Sequence, residues 1–76
     1  MMRVLLKDKS DNTIFVSEIT GTGYDPELQE LYLYANSETF TVKRIAKINA
    51  DSVVQELFAE GKSDLTLYET EIDEDD

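Results

Sequence analysis

Apolar and polar positions alternate at the two-residue period of strands in two runs near the N-terminus, residues 2–8 and 13–19, separated by the polar cluster Lys9, Ser10, Asp11 and Asn12. A hairpin closed by that loop sets Leu6 opposite Phe15, Val4 opposite Ser17 and Met2 opposite Ile19, a nearly all-apolar face. The other face pairs Arg3 with Glu18, Leu5 with Val16 and Lys7 with Ile14, which suits a half-exposed surface with one cross-strand ion pair.

Gly21, Thr22, Gly23, Tyr24, Asp25 and Pro26 carry the strongest turn signal of the chain. The next segment fits two templates. Asp25 as N-cap and Pro26 at the first helical position open a helix whose Leu28, Leu31, Tyr32 and Ala35 share a face. As a strand, Leu31, Leu33 and Ala35 alternate with Tyr32 and Tyr34. A turn at Asn36 and Ser37 then sets Leu33 opposite Phe40, Leu31 opposite Val42 and Glu30 opposite Lys43. Apolar meets apolar and acid meets base, so the strand is preferred, in a second hairpin over residues 28–46.

From Ala50 the period changes to that of a helix: Ala50, Val53, Val54, Leu57 and Phe58 form one stripe, predicting a helix over 50–60 with Phe58 in the core. Asn49 is the expected N-cap, Asp51 complements the helix dipole and Gly61 suits a left-handed stop. Beyond Ser63, Leu65 and Leu67 alternating with Thr66, Tyr68 and Thr70 predict a last strand. The expected fold is therefore a single α+β domain over residues 1–72, a small antiparallel sheet carrying one helix in the order ββββαβ. Residues 73–76, all acidic, are expected to be a solvated tail.

Composition narrows the chemistry. The 76 residues bury one core, and the absence of Cys removes disulfides and thiolate sites, pointing to a reducing, cytoplasmic setting. The only apolar run near the start, Val4 to Leu6, is far too short for a signal peptide or membrane span, so no membrane association and a retained N-terminus are expected. Charge is the outlier, with 17 acids against 7 bases and a net charge of −10. The excess sits almost entirely in residues 51–76, a field that repels nucleic acid and attracts basic surfaces.

Catalytic, cofactor and metal motifs are not found. Gly21 and Gly23 lack the third glycine of a dinucleotide loop, where Pro26 stands. Asp8, Ser10 and Asn12 begin like a calcium loop, but Thr13 and Ile19 occupy the positions of its glycine and bidentate glutamate. With no His, only carboxylate pairs such as Glu56 with Glu60, or Glu69 with Glu71, remain for acid and base work, and no sheltered pocket is expected around them. Lys43, Arg44 and Lys47 form a short basic cluster set against the field of the whole chain. Two features point to binding: the Tyr32 and Tyr34 pair on one sheet face beside Thr39 and Thr41, and an acidic band of Asp51, Glu56, Glu60, Glu69, Glu71 and the tail. The functional expectation is a non-enzymatic, cofactor-free module that binds another protein, with a basic surface on the partner suiting the acids. The alternative is an inhibitor whose carboxylates imitate nucleic-acid phosphates in the basic groove of a DNA- or RNA-handling protein.

Overall fold

The computed structural model describes residues 2–74, in chain order β1 (Met2–Lys7), β2 (Thr13–Ile19), β3 (Gly21–Asp25), β4 (Glu30–Tyr34), β5 (Glu38–Val42), α1 (Lys47–Glu60), β6 (Lys62–Asp64) and β7 (Thr70–Glu74). The class is α+β, as expected, but the strands form two sheets, ordered β2-β1-β6 and β3-β4-β5-β7. Two strands more than expected are present, and β1 and β6 run parallel, so the sheet is not wholly antiparallel. The chain crosses between sheets at Thr20 with almost no connection: β2 ends at Ile19, and the Thr20 amide already donates to Tyr34 O at 2.7 Å.

The β4–β5 pairing is the expected one, with Leu31 opposite Val42 and Leu33 opposite Phe40, and the strand reading of residues 30–34 holds. The first hairpin differs. Its register sets Leu6 opposite Ile14, Leu5 opposite Phe15 and Val4 opposite Val16, one residue off the expected pairing, and only Met2 opposite Ile19 is restored. The ladder is irregular between those last pairs, where Glu18 adopts a left-handed φ of 66° and adds one residue to β2. A one-residue shift exchanges faces, so Ile14 and Val16, rather than Phe15, face inward with Val4 and Leu6. Phe15 is left 61% exposed.

Aspartates decide the turns. Asp8 accepts from the Ser10 and Asn12 amides at 2.9 Å, and Asp25 from Glu27 at 2.9 Å and Leu28 at 3.3 Å. Asp64 accepts from both the amide and the hydroxyl of Thr66, at 2.9 and 2.7 Å. The second of these moves the expected turn from Gly21–Pro26 to residues 26–29 and frees Gly21–Asp25 to be a strand. The third splits the expected final strand: residues 65–69 turn, Leu67 is 96% exposed, and the chain re-enters the second sheet as β7. That strand runs past Ile72, with Asp73 opposite Thr39 and Glu74 opposite Glu38, so these two residues are not part of a free tail. Asp75 and Asp76 lie outside the described residues.

Helix α1 starts at Lys47, three residues before the expected position, and its cap is Ala46 rather than Asn49, with no side-chain cap hydrogen bond. The Ala50 amide donates to Ala46 O at 2.9 Å to open it, and Gly61 closes it at φ 74° with its amide on Leu57 O, as expected. Only Ala50 and Leu57 of the stripe are fully buried, Val53 and Val54 are half-buried, and Phe58 is 71% exposed, which corrects its placement in the core. The core joins Val4, Leu6 and Ile19 of the first sheet to Leu31, Leu33, Phe40 and Val42 of the second, with Ile45, Ala50, Leu57 and Leu65 sealing its ends. Tyr24 OH, donating to Ile45 O at 2.7 Å, ties the β5–α1 connection to β3.

Candidate protein-binding surface

The second sheet buries one face in the core and leaves the other partly exposed. Alternation along its strands turns Leu31, Leu33, Phe40 and Val42 into the core and Tyr32, Tyr34, Thr39 and Thr41 to the opposite face, where Tyr34 is exposed, Tyr32 and Thr39 are half-buried and Thr41 is covered by its neighbours. The register continues outward on both sides: Gly23, Tyr32, Thr41 and Glu71 form one row, and Gly21, Tyr34, Thr39 and Asp73 the next. The expected tyrosine pair is thus on one face, with Asp25 and Glu30 at its end.

Glycine on β3 and tyrosine on β4 belong together. A Cβ added to Gly23 would stand 3.0 Å from Tyr34 Oη, and one added to Gly21 3.6 Å from Tyr34 Cδ2, so the Tyr34 ring lies across both glycines. An aromatic laid over glycines of an edge strand restores the packing they lack, and it explains a strand in a segment that reads as a turn. Tyr34 keeps 41% of its surface exposed, whereas Tyr32 is half-buried.

Charge surrounds the rings. Tyr32 OH donates to Glu30 Oε1 at 3.0 Å, and that hydrogen bond, with burial and nearby acids behind it, raises the phenol's pKa above its ordinary value. Lys43 Nζ meets Glu71 Oε2 at 2.6 Å; the hydrogen bond and the opposite charge raise the Lys43 pKa and lower that of Glu71. Glu30 therefore serves Tyr32 and acts on Lys43 only through charge, instead of forming the cross-strand ion pair expected of it. Both members of the Lys43–Glu71 pair are a third or more exposed, so solvent screens most of their mutual attraction.

The remaining expected residues lie elsewhere. Glu56 and Glu60, both exposed on α1, line a groove over the outer face of the first sheet with Leu5, Phe15, Arg3 and Lys62. Glu69 is exposed before β7 and lines a different groove with Glu71, Lys7, Lys9 and Lys43. The two linings share no residue, and each sets carboxylates beside lysine or arginine. Only Glu71 of the four glutamates joins the tyrosine face. Asp73 was expected in the acidic band only as part of the tail, and Asp25 and Glu30 were expected as a cap candidate and an ion-pair partner rather than as binding residues, although strand parity from Tyr32 places Glu30 on its face.

No group of three or more Asp and Glu side chains among the described residues is placed to hold a metal ion, and no helix among them is long and apolar enough to cross a membrane. Comparison with protein-family models, with curated proteins and with solved structures finds no match.

Proposed function

We propose that this chain is a non-enzymatic protein-binding module that docks a basic, extended segment of a partner on the outer face of the β3-β4-β5-β7 sheet. One observation carries the reading: the Tyr34 ring lies over Gly21 and Gly23 beside Tyr32, on a face that bears Asp25, Glu30, Glu71 and Asp73, with Lys43 paired to Glu71. A pre-positioned tyrosine loses little freedom on contact, and its ring attracts an arginine or lysine stem that nearby carboxylates also favour. The net charge of −10 steers such a partner in from a distance.

A panel of peptides with arginine or lysine spaced among apolar residues, measured by fluorescence anisotropy against matched acidic and neutral peptides, tests this. Basic peptides are expected to bind. Tyr34→Ala should weaken them by a hot-spot margin of about thirtyfold, while Glu56→Gln with Glu60→Gln changes affinity by about twofold at most. Binding indifferent to Tyr34 and Tyr32 overturns the reading. The phosphate-mimic alternative expects a partner that nucleic acid displaces, that salt releases, and that depends on Glu56, Glu60, Glu69 and Glu71 instead.

A further inference from the structure

The first sheet has an open backbone edge on β2. Arg3 donates its amide to Gly61 O at 2.9 Å and Leu5 O accepts from the Leu65 amide at 2.8 Å, so the main-chain polar groups of these residues point toward β6. Phe15, paired with Leu5, must then turn its own N–H and C=O away from β1, and Thr13, two residues along, does the same. The Asp8 amide on Asn12 O at 3.0 Å, at the mouth of the hairpin, requires the same phase. Thr13, Phe15 and Ser17 are exposed, and β2 is the outermost strand of its sheet. The usual guards of an edge are missing from this stretch, since Thr13–Ile14–Phe15–Val16–Ser17 holds no charge and no proline before the Glu18 bulge ends it.

We infer that β2 pairs with β2 of a second copy, antiparallel, about a two-fold axis at Phe15. In this register Phe15 faces Phe15 of the second copy through their outward-pointing amides and carbonyls, and Thr13 faces Ser17 on either side. Ile14, half-buried, comes opposite the equally half-buried Val16, so apolar side chains meet on both faces. Glu18 comes opposite Asn12, not its own copy. A shift by two residues in either direction sets Phe15 opposite Thr13 or Ser17 and leaves fewer of the outward-pointing groups matched. Charge favours this strand above the rest of the chain for self-association. Residues 2–19 contain Arg3, Lys7 and Lys9 against Asp8, Asp11 and Glu18, a net of zero, so the whole excess of −10 lies outside the hairpin. Two equally acidic copies meet with least repulsion here. The result is one continuous sheet across the dimer, a property separate from the tyrosine face.

A single strand from each copy makes a small interface, under about 1,200 Å², so association should be weak and fall between about 10 μM and 1 mM. Sedimentation velocity over that range should show a monomer–dimer equilibrium that strengthens as salt screens the net charge, opposite to the salt response expected of a basic partner on the tyrosine face. Amide exchange by NMR should slow at Thr13, Phe15 and Ser17 as concentration rises, while Ile14 and Val16, already bonded to β1, change little. Phe15→Lys and Phe15→Glu should each be monomeric with near-native melting, and mixing them should recover a heterodimer, because residue 15 faces itself. A wild type that stays monomeric at about 1 mM, protection elsewhere, or an equimolar mixture that remains monomeric overturns the proposal.

Discussion

The sharpest test of the core concerns two neighbours on α1, Leu57 and Phe58. Leu57 is 1% exposed and packs in the cluster shared by both sheets, whereas Phe58 is 71% exposed. Truncating Leu57 to Ala removes a buried isobutyl group and leaves a cavity that close packing cannot refill, at about 2–5 kcal/mol. Phe58 gains only about a third of the roughly 1.5–3 kcal/mol that complete burial supplies, and Ala recovers about 0.5 kcal/mol of helix propensity, so Phe58→Ala should change stability by less than about 0.5 kcal/mol. In a domain of this size 1 kcal/mol moves the melting temperature by about 4–8 °C. Thermal unfolding followed by circular dichroism should therefore lose about 10 °C or more in Leu57→Ala and under about 4 °C in Phe58→Ala, with urea midpoints ordered the same way. If Phe58→Ala loses as much as Leu57→Ala, the helix is rotated about its axis relative to this structure, and the placement of Glu56 and Glu60 fails with it.

Thr70 is 3% exposed and its hydroxyl has no hydrogen-bond partner among the described residues, so Thr70→Val, of nearly the same shape, should raise stability by about 1 kcal/mol in urea melts. In a spectrophotometric titration the Tyr32 phenol should ionise above the ordinary tyrosine value, and Glu30→Gln should bring it back down, because the hydrogen bond to Glu30 is the largest cause of the shift. Since the folded value is raised, the stability this bond supplies is complete below the ordinary phenol pKa and vanishes as pH rises through the folded one. Glu71 has the opposite sign: its folded pKa is lowered by Lys43, so its contribution is present above the ordinary glutamate value and disappears as acid titrates the folded group. Any deficit of Glu71→Gln in chemical denaturation at pH 6 should accordingly shrink toward zero as the pH falls into that range.

The sequence by itself determined the class, the second hairpin with its register, the presence of one helix and its stop at Gly61. It also placed Tyr32 and Tyr34 together on one face. Each of these rests on a contrast that survives in one dimension: alternation of Leu31 and Leu33 with tyrosines, a matching Phe40 and Val42, and a glycine at the end of an apolar stripe. Only the tertiary structure decided the rest. The register of the first hairpin turns on one residue, Glu18, whose left-handed φ is not written in its type, and shifting by one residue moved Phe15 from core to surface. The stripe on α1 is wide enough that either Phe58 or its flank can face inward, and the position of β6 beside β1 settled it in favour of Leu57. Gly21 and Gly23 became a strand because Tyr34, distant in sequence, lies over them. Glu69 and Glu71 parted from Glu56 and Glu60 because a turn capped by Asp64 sent the chain to the far edge of the other sheet. Local pattern states which face a residue prefers; which surfaces then meet depends on contacts between segments that no local pattern contains.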